Sequence, residues 1–96
     1  MIVSIKYKVL QLNWKKGDKS KLPALLVGKI ERLLVIIDTL EVVPLDLKTF
    51  VILNPHPLKA GLKGYWSFIV TGNWRIIFRF DNSTSTTHDL DFLDSH

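Results

Sequence analysis

Apolar residues recur with a helical period in the first half of the chain. Between residues 26 and 40 they form one stripe, while the polar positions carry charged side chains such as Lys29 and Arg32. This pattern predicts an amphipathic helix, whose stripe consists of Leu26, Ile30, Leu33, Leu34, Ile37 and Leu40. A shorter helical pattern covers residues 6–14, after an apolar, β-branched start at residues 1–5 that is typical of a strand.

The second half changes to the two-residue period of β-strands. Apolar and polar residues alternate over residues 66–71 and 74–80, and Gly72-Asn73 between them is a tight-turn signal, so we predict a β-hairpin. The alternation over residues 88–94 predicts a third strand. That strand is expected to carry on one face His88, Leu90, Phe92 and Asp94.

The order of these elements predicts an α+β fold in which an N-terminal strand and two helices pack on an antiparallel β-sheet. Residues 41–53 are expected to form a connector with one short element. Residues 54–57 are expected to be extended or to turn, since each proline there biases the preceding residue away from helix. With 96 residues there is material for one hydrophobic core, so we expect a single domain over residues 1–96.

The composition excludes several classes of chemistry. Cysteine is absent, which rules out disulfides, thiolate metal sites and a cysteine nucleophile. Gly61, Gly64 and Gly72 fit none of the spacings of phosphate-binding or dinucleotide-binding loops, so we expect no cofactor and no metal. The start of the chain has no signal-peptide pattern, and the most apolar window, residues 22–40, contains four charged side chains. We therefore expect a cytoplasmic protein.

Charge is divided unevenly along the chain. Residues 51–80 contain four cationic and no acidic side chains, whereas residues 81–96 contain four aspartates and no lysine or arginine. Arg75 and Arg79 are expected to lie on one strand face, about 13 Å apart. This arrangement fits either a surface that binds a polyanion or two strands that are paired by charge.

Lysines and aromatic rings near the hairpin are suited to binding single-stranded RNA. Lys59 and Lys63 precede the first hairpin strand, and Tyr65, Trp66 and Trp74 offer rings on which bases can stack. The alternative is that the tryptophans belong to the core and that the cations form a solvated face.

Three histidines are candidates for acid–base chemistry near neutral pH. His56 lies between two prolines, which favours a structural role, and His88 shares its predicted face with apolar residues, which favours packing. His96 is the last residue, and Asp94 faces the same side of an extended chain, so the two side chains can act together.

Three segments of the second half resemble a known family. They are His56-Pro57-Leu58-Lys59, then Leu62-Lys63-Gly64-Tyr65-Trp66-Ser67, then Gly72-Asn73-Trp74-Arg75-Ile76-Ile77-Phe78. With the chain length, the order of predicted elements and an Asp-x-His ending, they closely resemble the HigB toxins of the RelE/ParE superfamily. The resemblance implies the toxin of a bacterial toxin–antitoxin pair, which cleaves mRNA in the ribosomal A site, contacts rRNA and has a HigA-like helix-turn-helix antitoxin as partner.

The resemblance also implies roles for individual residues. The family's catalytic lysine falls on Lys59, its hairpin arginine on Arg75, and its terminal aspartate and histidine on Asp94 and His96. These residue types suit attack of a ribose 2′-OH on the adjacent phosphate without a metal: His96 and Asp94 would move protons, and Lys59 and Arg75 would stabilise the added negative charge. We expect these four to converge on one exposed concave face of the sheet. The candidate RNA-binding residues are His56, Lys63, Trp74 and Arg79.

The chain departs from the family pattern at two places. It ends in Asp94-Ser95-His96 where the family usually has Asp-Tyr-His, and the catalytic lysine is followed by Ala60-Gly61 in place of Gly-Asp. Two alternatives stay open. One is a ParE-like toxin that binds a protein such as gyrase without cleaving RNA, and the other is a catalytically decayed copy that only binds its antitoxin.

Overall fold

Two α-helices pack on one face of a four-stranded antiparallel sheet in the computed structural model, which describes residues 1–94. The helices are α1 (Lys8–Lys16) and α2 (Val27–Asp38), with 3₁₀ helices at Leu45–Leu53 and Ala60–Leu62. The strands are β1 (His56–Pro57), β2 (Tyr65–Thr71), β3 (Trp74–Asp81) and β4 (Thr86–Asp94), in the order β1-β2-β3-β4. The predicted α+β class is confirmed.

The core lies between α2 and the sheet. Ile30, Leu34 and Ile37 of α2 are fully buried, as are Phe68 and Phe78 from the two strands. The two phenylalanine rings meet edge to face with their centroids 5.4 Å apart. Burial of each of these side chains contributes about 1.5–3 kcal/mol, so the predicted helical stripe and strand alternation together account for the core.

The hairpin turns at the predicted Gly72-Asn73 pair. Gly72 has φ +50°, a left-handed conformation that glycine adopts without strain. The two strands pair with Phe68 opposite Ile76. The sequence therefore predicted the turn, whereas the register also depends on a bulge in β2 between Ile69 and Thr71.

The N-terminal segment runs beside β4 but forms only two isolated parallel bridges, from Ile2 to Thr87 and from Ile5 to Leu90. The carboxylate of Asp38, at the end of α2, accepts a hydrogen bond from the Ile2 amide at 2.8 Å. The side-chain amide of Gln11, in α1, donates to the Ile5 carbonyl at 2.6 Å and links that helix to the N-terminal segment. The predicted strand is thus an extended segment held at two points.

A bulge in β4 changes which residues share a face. Asp89 has φ +54°, and the pairing steps from Arg79 opposite His88 to Ile77 opposite Asp91. One extra residue in β4 therefore moves His88 to the face of Arg79. The prediction that His88 shares the apolar face of Leu90 is wrong, because strict alternation does not continue through a bulge.

A single asparagine ties the β3–β4 turn to the loop after α2. The Asn82 side chain donates to the Val43 carbonyl at 2.8 Å and accepts from the Val43 amide at 2.9 Å.

Within residues 1–94, none of the helices has the length and apolar character required to span a membrane.

Candidate active site

The sheet face opposite the helices carries three rows of side chains. From one end of the sheet to the other, the rows are Ile69–Arg75–Leu93, then Ser67–Ile77–Asp91, then Tyr65–Arg79–His88. The outer rows lie about 13 Å apart. The prediction that Arg75 and Arg79 share a face is therefore confirmed, and they mark its two ends.

A cavity of about 160 Å³ lies at the Arg75 end of this face. Its walls are formed by His56, Leu58, Leu62, Ser67, Arg75, Ile77 and Leu93. The short strand β1 and the 3₁₀ turn that follows it supply one wall. Since Leu58 and Leu62 share the cavity wall with Ser67 and Ile77, the last two are almost completely buried although they point away from the core.

Arg75 is held in place by the hairpin turn. Its Nη1 donates to the carbonyls of Gly72 at 2.8 Å and Trp74 at 3.2 Å. A guanidinium has five N–H donors, so others remain for a phosphate. The turn thus orients a cation at the cavity wall without neutralising it.

His56 lines the same cavity with a defined proton position. Its Nδ1 lies 3.0 Å from the Asn54 carbonyl, and because a carbonyl only accepts, Nδ1 carries the proton. The Nε2 atom of the neutral ring is then a proton acceptor. Pairing of His56 with Ser67 fixes the backbone. From the sequence, His56 was predicted to have a structural role or to bind RNA. Its place between two prolines already indicated a fixed, extended backbone.

Lys59 is an exposed residue in the segment between β1 and the 3₁₀ turn Ala60–Leu62. It follows Leu58 directly, and its carbonyl accepts from the Leu62 amide at 3.2 Å at the start of the 3₁₀ turn. Lys63 is also exposed and ends this turn. Ala60, between them, has φ +56°, a left-handed conformation that favours glycine.

The end of β4 brings Asp94 to the same end of the sheet but not to the face of Arg75. Asp94 pairs with Trp74, and the Trp74 ring stacks on Phe92 of the core at a centroid distance of 4.7 Å. Neighbouring residues of a strand point to opposite faces, so Asp94 and Trp74 lie on the side away from Arg75. The expectation that the catalytic residues share one face is wrong for Asp94. His96 lies outside the described residues.

A family model for the "RelE-like toxin of type II toxin-antitoxin system HigB" matches residues 3–96. The chain belongs to this family. It is 40% identical over 97 residues to the protein named endoribonuclease HigB from Proteus vulgaris, and the match covers 100% of both chains. The resemblance drawn from the three signature segments is confirmed.

Solved structures of toxins share the fold of this HigB-like chain. The toxin–antitoxin complex RelBE2 from Mycobacterium tuberculosis matches with a TM-score of 0.56 and 18% identity, covering 100% of this chain and 96% of that one. A YoeB/ParE toxin from Agrobacterium tumefaciens matches with a TM-score of 0.57 and 20% identity, covering 99% and 96%. These likenesses establish the fold.

Arg79 of this HigB-like toxin lies at the other end of the sheet face and is paired. Its Nη1 is 3.2 Å from the Asp89 carboxylate, in a second and larger cavity. The interpretation that the basic and acidic segments pair as strands therefore holds at Arg79. Within residues 1–94, no group of three or more His, Asp or Glu side chains is placed to hold a metal ion.

Proposed function

We propose that this HigB-like toxin is an endoribonuclease that cleaves mRNA on the ribosome by attack of a ribose 2′-OH on the adjacent phosphate. The observation that carries the proposal is the Arg75 cavity, where an oriented guanidinium and an imidazole acceptor line one recess. The exposed Lys59 directly follows the wall residue Leu58. The name of the Proteus vulgaris relative supports the same chemistry. The proposed location is the cytoplasm.

The reaction moves two protons and adds negative charge to one phosphate. A base takes the proton of the 2′-OH, the new P–O bond forms as the 5′ oxygen leaves, and an acid protonates that oxygen. The products are a 2′,3′-cyclic phosphate and a 5′-OH. We assign the two proton transfers to His56 and His96. Lys59 and Arg75 stabilise the developing charge, so the reaction requires no metal.

Dependence on the ribosome follows from how little of the RNA this site encloses. The cavity holds about 160 Å³ and lies open beside a two-residue strand. Such a recess binds a phosphate but does not fix the sugar in attack geometry, which supplies several kcal/mol in well-oriented reactions. We propose that the A site supplies this orientation, while the exposed candidate RNA-binding residue Lys63 contacts nearby RNA.

The partner of the toxin is proposed to be an antitoxin of the helix-turn-helix class. A toxin of a toxin–antitoxin family needs a protein that covers part of its surface. Leu25, Val51 and Ile52 expose 98%, 75% and 90% of their area, so apolar surface is available for such a partner.

The test is mRNA cleavage on programmed ribosomes by three variants: Lys59→Ala, His56→Ala and a chain lacking His96. Each should lower cleavage about 10²–10⁴-fold, the usual scale for a lost acid–base group or charge stabiliser. Ribosome binding should survive, because these groups act on the reacting atoms. Lys48→Ala, which removes an exposed lysine from the 3₁₀ helix Leu45–Leu53, is the control and should cleave normally.

Substrate and target controls separate the proposal from its alternatives. A 2′-deoxy substitution at the cleaved nucleotide should abolish cleavage, and free mRNA should be cut far more slowly than ribosome-bound mRNA. Gyrase inhibition without RNA cleavage would establish the ParE-like alternative. Antitoxin binding by a wild-type chain that cleaves nothing would establish the decayed one.

A further inference from the structure

The second cavity lies at the far end of the sheet face that carries Arg75. It has a volume of about 490 Å³, and Arg79, His88 and Asp89 line it together with Asp81 and Asn82. The catalytic proposal uses none of Asp81, Asn82, His88 and Asp89. Because the two cavities share one sheet face, a single RNA strand can lie along both.

The β4 bulge builds this cavity. His88 pairs with Arg79, and the next residue, Asp89, also points its carboxylate to Arg79 at 3.2 Å. Two consecutive side chains reach the same side only because Asp89 adopts φ +54°. A left-handed conformation is costly for a residue other than glycine, and bulges often re-aim side chains beside functional sites.

The polar groups around the pair are mostly engaged elsewhere. His88 Nε2 is 2.7 Å from the Thr86 hydroxyl, and the Asn82 amide is bound to Val43. Asp81 accepts hydrogen bonds from Ser83, which lower the pKa of its carboxyl and keep it anionic. The groups left for a ligand are the remaining N–H donors of Arg79 and the lone pairs of the two Asp89 oxygens that Arg79 does not use.

This pattern suits a nucleobase better than a phosphate. Two carboxylates, Asp81 and Asp89, line the cavity beside one arginine, so a phosphate would meet like charge. Guanine carries an acceptor, O6, beside two donors, N1–H and the 2-amino group, on one edge. An arginine, which donates, next to a carboxylate, which accepts, is complementary to the groups of that edge in the same order.

We propose that the cavity binds a guanine of the mRNA, with Arg79 donating to O6 and Asp89 accepting from N1–H and the 2-amino group. The site rests on the proposed function, because it selects the sequence near the cleaved phosphate. The row of Arg79 lies about 13 Å from the row of Arg75, so the guanine is offset from the cleaved phosphate by a short stretch of single strand.

The first experiment measures binding to the full chain of short single-stranded RNAs made uncleavable by 2′-O-methyl groups. Guanine should bind at least about tenfold more tightly than inosine or adenine at the same position, the range of a good bidentate contact. Inosine is informative because it lacks only the 2-amino group. Equal affinity for guanine and inosine overturns the proposal without any mutation.

The second experiment uses Asp89→Asn. Asparagine tolerates the left-handed backbone, so the bulge is kept, but one acceptor becomes a donor. The preference for guanine should disappear and shift toward adenine, the base that asparagine pairs with. Asp91→Asn, a change on the same strand and face, is the matched control and should keep the preference for guanine.

Mapping of cut sites on ribosome-bound mRNA separates mRNA from rRNA as the source of the base. A guanine at fixed distance from the cut, present with wild type and lost with Asp89→Asn, supports the proposal. Weaker ribosome binding by Asp89→Asn with an unchanged cut profile overturns it in favour of rRNA. If the wild-type chain binds guanine selectively but cuts nothing, the subsite stands and the nuclease proposal fails.

Discussion

At the scale of single residues, Ala60 connects a departure in sequence to a strained backbone angle. The resemblance to HigB toxins implies glycine at this position, and Ala60 has φ +56°. The left-handed region costs an L-residue about 1–2 kcal/mol, part of which is offset because glycine is more flexible when unfolded. Ala60→Gly should therefore raise the free energy of unfolding by about 0.5–1 kcal/mol, measured by urea denaturation.

The neighbouring Gly61 provides the control. It has no positive φ, and an added Cβ would meet nothing within 4 Å, so Gly61→Ala should be tolerated. If Ala60→Gly destabilised the protein while Gly61→Ala did not, the turn that carries Lys59 would not be strained.

Some residues of the site could be predicted from the sequence and others could not. Lys59 and Arg75 were predicted from a signature of local spacing, and Arg75 lines the cavity at one end of the sheet face. The sheet face on which His88 and Asp89 lie could not be predicted. A bulge at a residue other than glycine does not change the alternation of apolar and polar residues that the prediction uses. Asp94 was on the predicted strand, but the register that separates it from Arg75 depends on tertiary pairing.

At the scale of elements, one carboxylate fixes the loop that leads from α2 into the 3₁₀ segment Leu45–Leu53. Asp46 accepts hydrogen bonds from the amides of Glu41 and Val42 at 2.8 and 2.9 Å. These bonds lower the pKa of the Asp46 carboxyl below its usual 3.8. A lowered folded-state pKa gives stability that is present above pH 3.8 and is lost as the pH falls through the folded value.

Asp46→Asn should therefore lower the urea midpoint at neutral pH, and its difference from wild type should shrink as the pH falls below 3.8. The measurement is a series of urea denaturations of both chains from neutral pH to about pH 3. A difference that stays constant over this range would mean that the charge of Asp46 does not stabilise the turn.

Elements with a long pattern were predictable and those made by distant contacts were not. The α2 stripe and the hairpin extend over enough residues for their period to be clear. The N-terminal segment instead gains its two bridges from β4 and its anchor from Asp38, which lie far away in the chain. Its five residues carry too little pattern to show where a strand ends.

At the scale of the whole molecule, the lysines at the end of α1 and in the connection to α2 form a basic surface apart from the cavities. Lys15, Lys16 and Lys21 are exposed, whereas Lys19 is 3.6 Å from the carboxylate of Glu31. An exposed ion pair of this kind contributes little to the free energy of folding. We expect it to contact rRNA phosphates while the sheet face holds mRNA.

This expectation predicts a steep loss of ribosome affinity with salt. Each phosphate contact adds about 0.7–0.9 to the slope of log affinity against log salt, since binding releases condensed counterions. Replacing Lys15, Lys16 and Lys21 together by glutamine should lower the slope by about 2–2.7, measured by ribosome binding between roughly 50 and 200 mM salt. Lys19→Gln is the matched control and should have a smaller effect, because Glu31 already neutralises that ammonium group. Affinity that is constant over the same range would mean that the target is not RNA, and would favour a toxin that acts by binding a protein.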